Sequence, residues 1–112
     1  MRRDRLFLTD ICSAADDIGA FLEGVSRDAF LANKMLQSAV LQKLIVIGEA
    51  AARVSPELRA RHPGVPWAEM TGFRNIAVHA YFSINWSIVW GTARIDVPQV
   101  RNNVQRVLEN EE

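Results

Sequence analysis

The sequence is poor in the features that most often mark a function. Cys12 is its only cysteine, so no disulfide can form within the chain, and a reducing, cytoplasmic compartment is expected. Its only histidines are His62 and His79, and Cys12 lies far from both along the chain. Zinc sites require three or four ligands at tight spacing, so neither a metal nor another cofactor is expected. No glycine-rich phosphate loop and no nucleophile-elbow pattern is present. No apolar run approaches the roughly 20 residues that span a bilayer. The basic start Arg2-Arg3-Asp4-Arg5 is not followed by an adequate signal-peptide core, so no membrane association is expected. Charge of one sign is missing too: 13 basic residues balance 13 acidic ones. Bulk electrostatics therefore gives no pull toward nucleic acid, and only a local patch can supply one. Lys34 and Lys43 are the only lysines; the remaining basic residues are arginines, whose planar fork suits bidentate phosphate contacts.

What is abundant is helix-forming apolar sequence. The chain has 112 residues, 49% of them hydrophobic, which predicts one domain over 1–112 with a thin core. Leu8, Ile11, Ala15, Ile18 and Leu22 repeat at helical spacing, predicting a first helix from about Arg5 to Leu22, with Gly24 as its stop. A second, longer helix, capped by Asp28 or Asn33, carries the stripe Leu36, Val40, Leu44, Ile47 and Ala51. Leu41, Ile45 and Val46 make that helix apolar on nearly all sides, so a second subunit is expected to cover part of it. Ser55-Pro56-Glu57 has the cap, proline and acid of a helix start, and Pro63, Gly64 and Pro66 end that helix early. Pro66-Trp67 opens a further helix, expected to run to about Tyr81 with a kink at Gly72. Ser83 or Asn85 opens the next, and Asp96-Val97-Pro98 ends it and starts the last, with Val100, Val104, Val107 and Leu108 on its apolar face. No strand pattern is present. The expected fold is all-α: an up-and-down bundle of four main helices plus short extra helices, assembled as a homodimer.

One segment combines polar chemistry with apolar surroundings: Arg74-Asn75-Ile76-Ala77-Val78-His79-Ala80-Tyr81. On a regular helix each residue turns by about 100°, so Asn75 and His79 share one face and Arg74 and Tyr81 another. Arg74 and His79 point roughly 140° apart by the same rotation. Two arrangements bring them together: a helix that distorts near His79, or symmetry-related copies that meet across a two-fold interface. The residue types suit phosphodiester cleavage. Arginine stabilises charge on a phosphorane-like transition state. Histidine titrates near neutrality and moves the 2′-hydroxyl or leaving-group proton. Asn75 either orients His79 or holds a phosphate oxygen. Taken pair by pair, these residues also have ordinary structural roles. Glu49, an acid inside an apolar helix, is either an ion-pair partner for Arg74 or part of a cleft. Tyr81 fits a core or interface position, and Trp67, Trp86 and Trp90 fit packing anchors.

The run R-N-I-A-V-H-A-Y resembles the R-x-x-x-x-H-x-Y motif of HEPN-domain ribonucleases, in the HepT-like branch of the toxin–antitoxin pairs that join HepT to a minimal nucleotidyltransferase. The likeness extends along nearly the whole chain. Leu44-Ile45-Val46-Ile47-Gly48-Glu49-Ala50 is similar to that branch's IGEA helix. Val65-Pro66-Trp67 followed by Gly72-Phe73-Arg74-Asn75 is similar to its PW…G.RN segment, and Ile84 to Trp90 to its following helix. The resemblance implies a homodimer with both motif copies in one cleft, and a metal-independent endoribonuclease with Arg74 and His79 as the catalytic pair, supported by Asn75 and Glu49. It also implies RNA as substrate and a minimal nucleotidyltransferase antitoxin able to transfer AMP to Tyr81. That modification would place bulk and negative charge two residues from His79 and oppose phosphate entry. The competing expectation is a non-catalytic dimeric module that binds a nucleotidyltransferase partner or a nucleotide.

Overall fold

The computed structural model describes residues 2–76 and 83–111. The expected positions of His79 and Tyr81 lie outside the described residues. Helix α1 (Arg2–Phe21) is longer than the expected Arg5–Leu22 at its start. The turn that follows it closes at Gly24, whose φ of 71° reverses the chain where a side chain would be strained. A five-residue helix not foreseen from the sequence, α2 (Arg27–Leu31), follows, capped by Ser26 rather than continuing from Asp28. Asn33 then caps α3 (Lys34–Arg53), its side chain accepting from Leu36 N at 3.0 Å. Gln37 is buried and donates to the carbonyls of Phe30 and Leu31, each at 3.1 Å, so it satisfies the end of α2 from inside α3. Ser55 caps α4 (Pro56–Arg61), as its Ser-Pro-Glu start predicts.

The two long helices run antiparallel. Asp4 at the start of α1 bonds to Ser55 just past the end of α3, and Asp17 late in α1 meets Lys43 in the middle of α3 at 3.1 Å. Along α1 the predicted stripe Leu8, Ile11, Ala15, Ile18 and Leu22 is buried, and so are Val40, Leu44, Ile47 and Ala51 on α3. The described residues form helices and no strand, giving the expected all-α bundle. Helix α3 is 20 residues long and apolar enough to cross a membrane, so the expectation that no segment reaches that length needs correcting. Its place here is inside the bundle, packed against α1 and α5.

The chain does not break at Asp96-Val97-Pro98, contrary to the sequence expectation. Helix α6 (Trp86–Gly91) passes through a π-helical turn, Thr92–Asp96, directly into α7 (Val97–Asn110). Pro98 has no N–H to donate to Arg94 four residues back, and its ring would press on that carbonyl. The π turn widens the helix ahead of it: Val97 N–H bonds to Thr92 O, five residues away. Helix continuity survives because the distortion sits just before the proline. α7 lies antiparallel to α1, tied by Arg101 to Asp16 and by Arg5 to the Leu108 carbonyl. Its valines Val100, Val104 and Val107 are buried as expected. Phe30 of α2 packs on Trp86 and Trp90 at ring separations of 6.4 and 5.4 Å, so these tryptophans anchor α6. Cys12 is buried, which pushes its thiol up and away from reactive thiolate chemistry.

Candidate active site

The candidate site begins with a close approach between two backbones. Helix α5 (Trp67–Gly72) crosses α3, bringing Met70 and Arg74 down onto Gly48. A Cβ on residue 48 would stand 2.6 Å from Arg74 N, 2.9 Å from Arg74 Cβ and 3.1 Å from Met70 O. Two of the three atoms are backbone, which no rotamer change can move aside. Gly48 is therefore the residue that lets Arg74 sit directly on α3. In the sequence, Gly48 stands out only as part of a family segment. The signal that marks it is a lone glycine within an otherwise apolar helix, a position where glycine weakens the helix unless another backbone needs the space.

The chain then turns. α5 ends at Gly72, and Phe73 and Arg74 form a bend before helical geometry resumes at Asn75. The bonds through this bend span three residues: Phe73 N to Met70 O at 3.1 Å, Arg74 N to Thr71 O at 3.3 Å and Ile76 N to Phe73 O at 3.4 Å. They are the tighter bonds of a 3₁₀ turn. The kink expected at Gly72 is thus realised one to two residues later. Phe73 and Ile76 pack partly into the core on either side, so the bend is pinned and Arg74 is turned outward between them. Asn75 is exposed.

The Arg74 guanidinium meets Glu49, the residue after Gly48, with Nη1 3.6 Å from Oε1. The separation is too long for a hydrogen bond. The two side chains are 39% and 48% exposed, so water screens the attraction and the pair contributes about 0–1 kcal/mol. Among the described residues no hydrogen bond occupies this guanidinium, whose fork has the geometry to take a phosphate through two parallel N–H bonds. Glu49 also lines an open groove of about 300 Å³ between α1 and α3, together with Phe7, Asp10, Ile45, Val46, Ala50 and Arg53. Of the two readings for Glu49, ion-pair partner and cleft residue, both describe its position.

The described residues thus bring Arg74 and Glu49 together at one rim of α3, with Asn75 exposed beside Arg74 in the chain. The other histidine, His62, is engaged elsewhere: its Nε2 lies 2.7 Å from Glu111 Oε2, while Arg61 holds the other carboxylate oxygen at 2.7 Å. These two partners bring the Glu111 carboxyl down to about 2 from an ordinary 4.5, Arg61 being the larger cause.

Comparison with known proteins supplies the context. The model of the family described as Ribonuclease HepT-like matches residues 11–107. Putative RNase MJ1380 of Methanocaldococcus jannaschii is 38% identical over 107 residues, covering 95% of this chain and 98% of that protein. Probable ribonuclease HepT of Thermococcus cleftensis is 31% identical over 106 residues, covering 95% and 96%. In Gamma-glutamylcyclotransferase and putative RNase MJ0434, also of M. jannaschii, the similar region covers 50% of that protein at 27% identity. No solved structure matches. With a family match across most of its length and full-length relatives above 30% identity, the chain belongs to the HepT-like ribonuclease family.

Proposed function

We propose that this chain is the toxin of a toxin–antitoxin pair, a metal-independent endoribonuclease in which Arg74 and His79 act on an RNA phosphodiester. The observation that carries the reading is the state of Arg74. A glycine-seated bend holds its backbone firmly, while its charged end is partly exposed and only loosely paired with Glu49. Among the described residues its one charged partner is Glu49, at a distance too long for a hydrogen bond, which supports a guanidinium available to a phosphate. The relatives named as ribonucleases support the same chemistry.

In this mechanism the 2′-hydroxyl attacks the adjacent phosphorus and the P–O5′ bond breaks, leaving a 2′,3′-cyclic phosphate and a 5′-hydroxyl. Arg74 neutralises the charge that builds on the non-bridging oxygens. His79 moves the proton of the attacking or leaving oxygen, and Asn75 orients His79 or holds a phosphate oxygen. The active unit is a homodimer of single-domain chains in the cytoplasm, with the two motifs in one cleft. The start of α3 supports this assembly, since the large apolar side chain of Met35 is 82% exposed. A minimal nucleotidyltransferase antitoxin neutralises the toxin, with AMP transfer to Tyr81 as the route.

The test is cleavage of RNA by the purified protein in EDTA, beside Arg74→Ala and His79→Ala. Loss in both variants is expected. Equal cleavage by all three proteins overturns the assignment, and persistent cleavage of a 2′-O-methylated RNA overturns the 2′-hydroxyl route. The balanced charge of the chain favours one other reading, a dimeric non-catalytic module that binds the nucleotidyltransferase or a nucleotide. Expression without the partner separates the two: His79-dependent growth arrest belongs to the enzyme, and tight partner binding without arrest belongs to the module.

A further inference from the structure

Two arginines outside the motif line one cavity. Arg3 on α1 and Arg53 in the last turn of α3 are exposed, and among the described residues neither makes a hydrogen bond, ion pair or ring contact. They line one open cavity of about 330 Å³ with Phe7, Asp4 and Ser55. That cavity shares Phe7 and Arg53 with the groove that Glu49 lines, so the two adjoin as one trough along the α1–α3 seam, and Glu49 at its far end faces Arg74.

The free charge in this trough is positive at the Arg3 end. Asp4 is only 2% exposed, and its two carboxylate oxygens accept from Ser55 N at 2.8 Å and Ser55 Oγ at 2.6 Å, so it turns inward. Glu49 faces Arg74. Asp10, which lines the groove but not the Arg3 cavity, is the one acid of the trough with no partner among the described residues. Arg53 lies four residues beyond Glu49 on α3, about 6 Å along the helix and on the same face. An RNA strand with its scissile phosphate at Arg74 would carry a neighbouring phosphate past Arg53 and the next toward Arg3. Phe7, half-buried in the shared wall, offers a ring for an unstacked base.

We infer that the α1–α3 trough is a phosphate-binding subsite for single-stranded RNA, in which Arg3 and Arg53 hold the backbone beside the bond that is cut. The inference rests on the ribonuclease reading for its ligand, but binding tests it without cleavage. The probe is a short fluorescent 2′-O-methyl oligoribonucleotide, followed by anisotropy across a salt series. For a single strand, each phosphate that the protein ceases to neutralise makes the slope of log K against log salt shallower by about 0.7. Arg3→Ala/Arg53→Ala should therefore make it shallower by about 1.4. Arg3→Lys/Arg53→Lys should keep most of the slope, because the charge remains. Arg106→Ala, which removes an exposed arginine whose one bond among the described residues is to Asn103, should leave it unchanged.

An unaltered slope in the double alanine variant, or no binding by the unmodified chain, overturns the subsite. Loss of the dimer by light scattering, with the slope unaltered, assigns the trough to a second copy of the chain and equally overturns it. Cleavage that persists while the slope is unaltered sinks the subsite and spares the nuclease. A slope that becomes shallower in the double variant, in a chain unable to cleave, does the reverse.

Discussion

Two carboxylates on neighbouring parts of the bundle show how differently a charge can be used. Asp4 is sealed at 2% exposure and gives both oxygens to Ser55, tying the start of α1 to the α3–α4 corner. Glu49 is about half exposed and faces Arg74 at 3.6 Å with no hydrogen bond. The first arrangement has shut water away from the carboxylate, so opening it leaves a buried charge unsatisfied. In the second, water still surrounds both partners, so a stronger anion can displace Glu49 at little cost. A contact of the first kind holds a fold, and a contact of the second kind holds a residue ready.

The sharpest way to break this contrast is at Arg74. Removing an electrostatic stabiliser of a developing oxyanion typically lowers the rate by about 10²–10³. Arg74→Ala should therefore lower RNA cleavage by that factor while the melting temperature stays almost where it was. A large fall in melting temperature with unchanged activity of the folded protein would place Arg74 in Asp4's category. Asp4→Ala should behave in the opposite way. It leaves the Ser55 N–H and hydroxyl without their buried partner, which costs about 1–3 kcal/mol. In a domain of this size each kcal/mol moves the melting temperature by roughly 4–8 °C. Cleavage by the protein that remains folded should fall far less than in Arg74→Ala. Equal melting of Asp4→Ala and the parent chain would remove the distinction.

Gly48 is where the two uses of structure meet. Gly48→Ala forces its Cβ against the Arg74 backbone, so α5 must lift from α3. Overpacking of this kind costs about 1–3 kcal/mol. Because the lift also displaces Arg74, a stability loss like that of Asp4→Ala should come with an activity loss like that of Arg74→Ala. Thermal melting and cleavage measured on the same preparation separate the outcomes: a change in melting alone would leave Gly48 a packing residue.

These contrasts also explain how much the sequence disclosed. Apolar periodicity depends only on which face meets the core, so the stripes on α1, α3 and α7 are legible without coordinates. Asn33 and Ser55 announce themselves because an N-cap is a local bond between a side chain and a nearby backbone N–H. Helix α2 escapes a sequence reading because five residues contain too little pattern, and its end depends on Gln37 reaching back from the next helix. The break at Pro98 is overestimated because a proline forbids one bond but does not dictate whether the helix stops or widens. At the site, residue types point to Arg74 and Glu49. The seat under Arg74 stays hidden, because the reason for Gly48 is an atom 26 residues away in the chain.

The smallest effect concerns a third carboxylate, Glu111, which joins the end of α7 to α4 through Arg61 and His62. Those partners bring its carboxyl down to about 2, against an ordinary 4.5, so the folded state favours the charged form. A depressed carboxyl stabilises the fold above its unfolded value and stops doing so as pH falls through the folded one. The contribution is therefore complete above about pH 4.5 and fades between there and about pH 2. The parent chain and Glu111→Gln should differ in melting temperature near neutrality and converge as the pH approaches 2. Because its main partner Arg61 is half exposed, the gap should also narrow with added salt, as a gap from Asp4 should not. A difference that persisted at low pH would mean that Glu111 acts through packing or neutral hydrogen bonds, and would move it toward the sealed kind of contact that Asp4 represents.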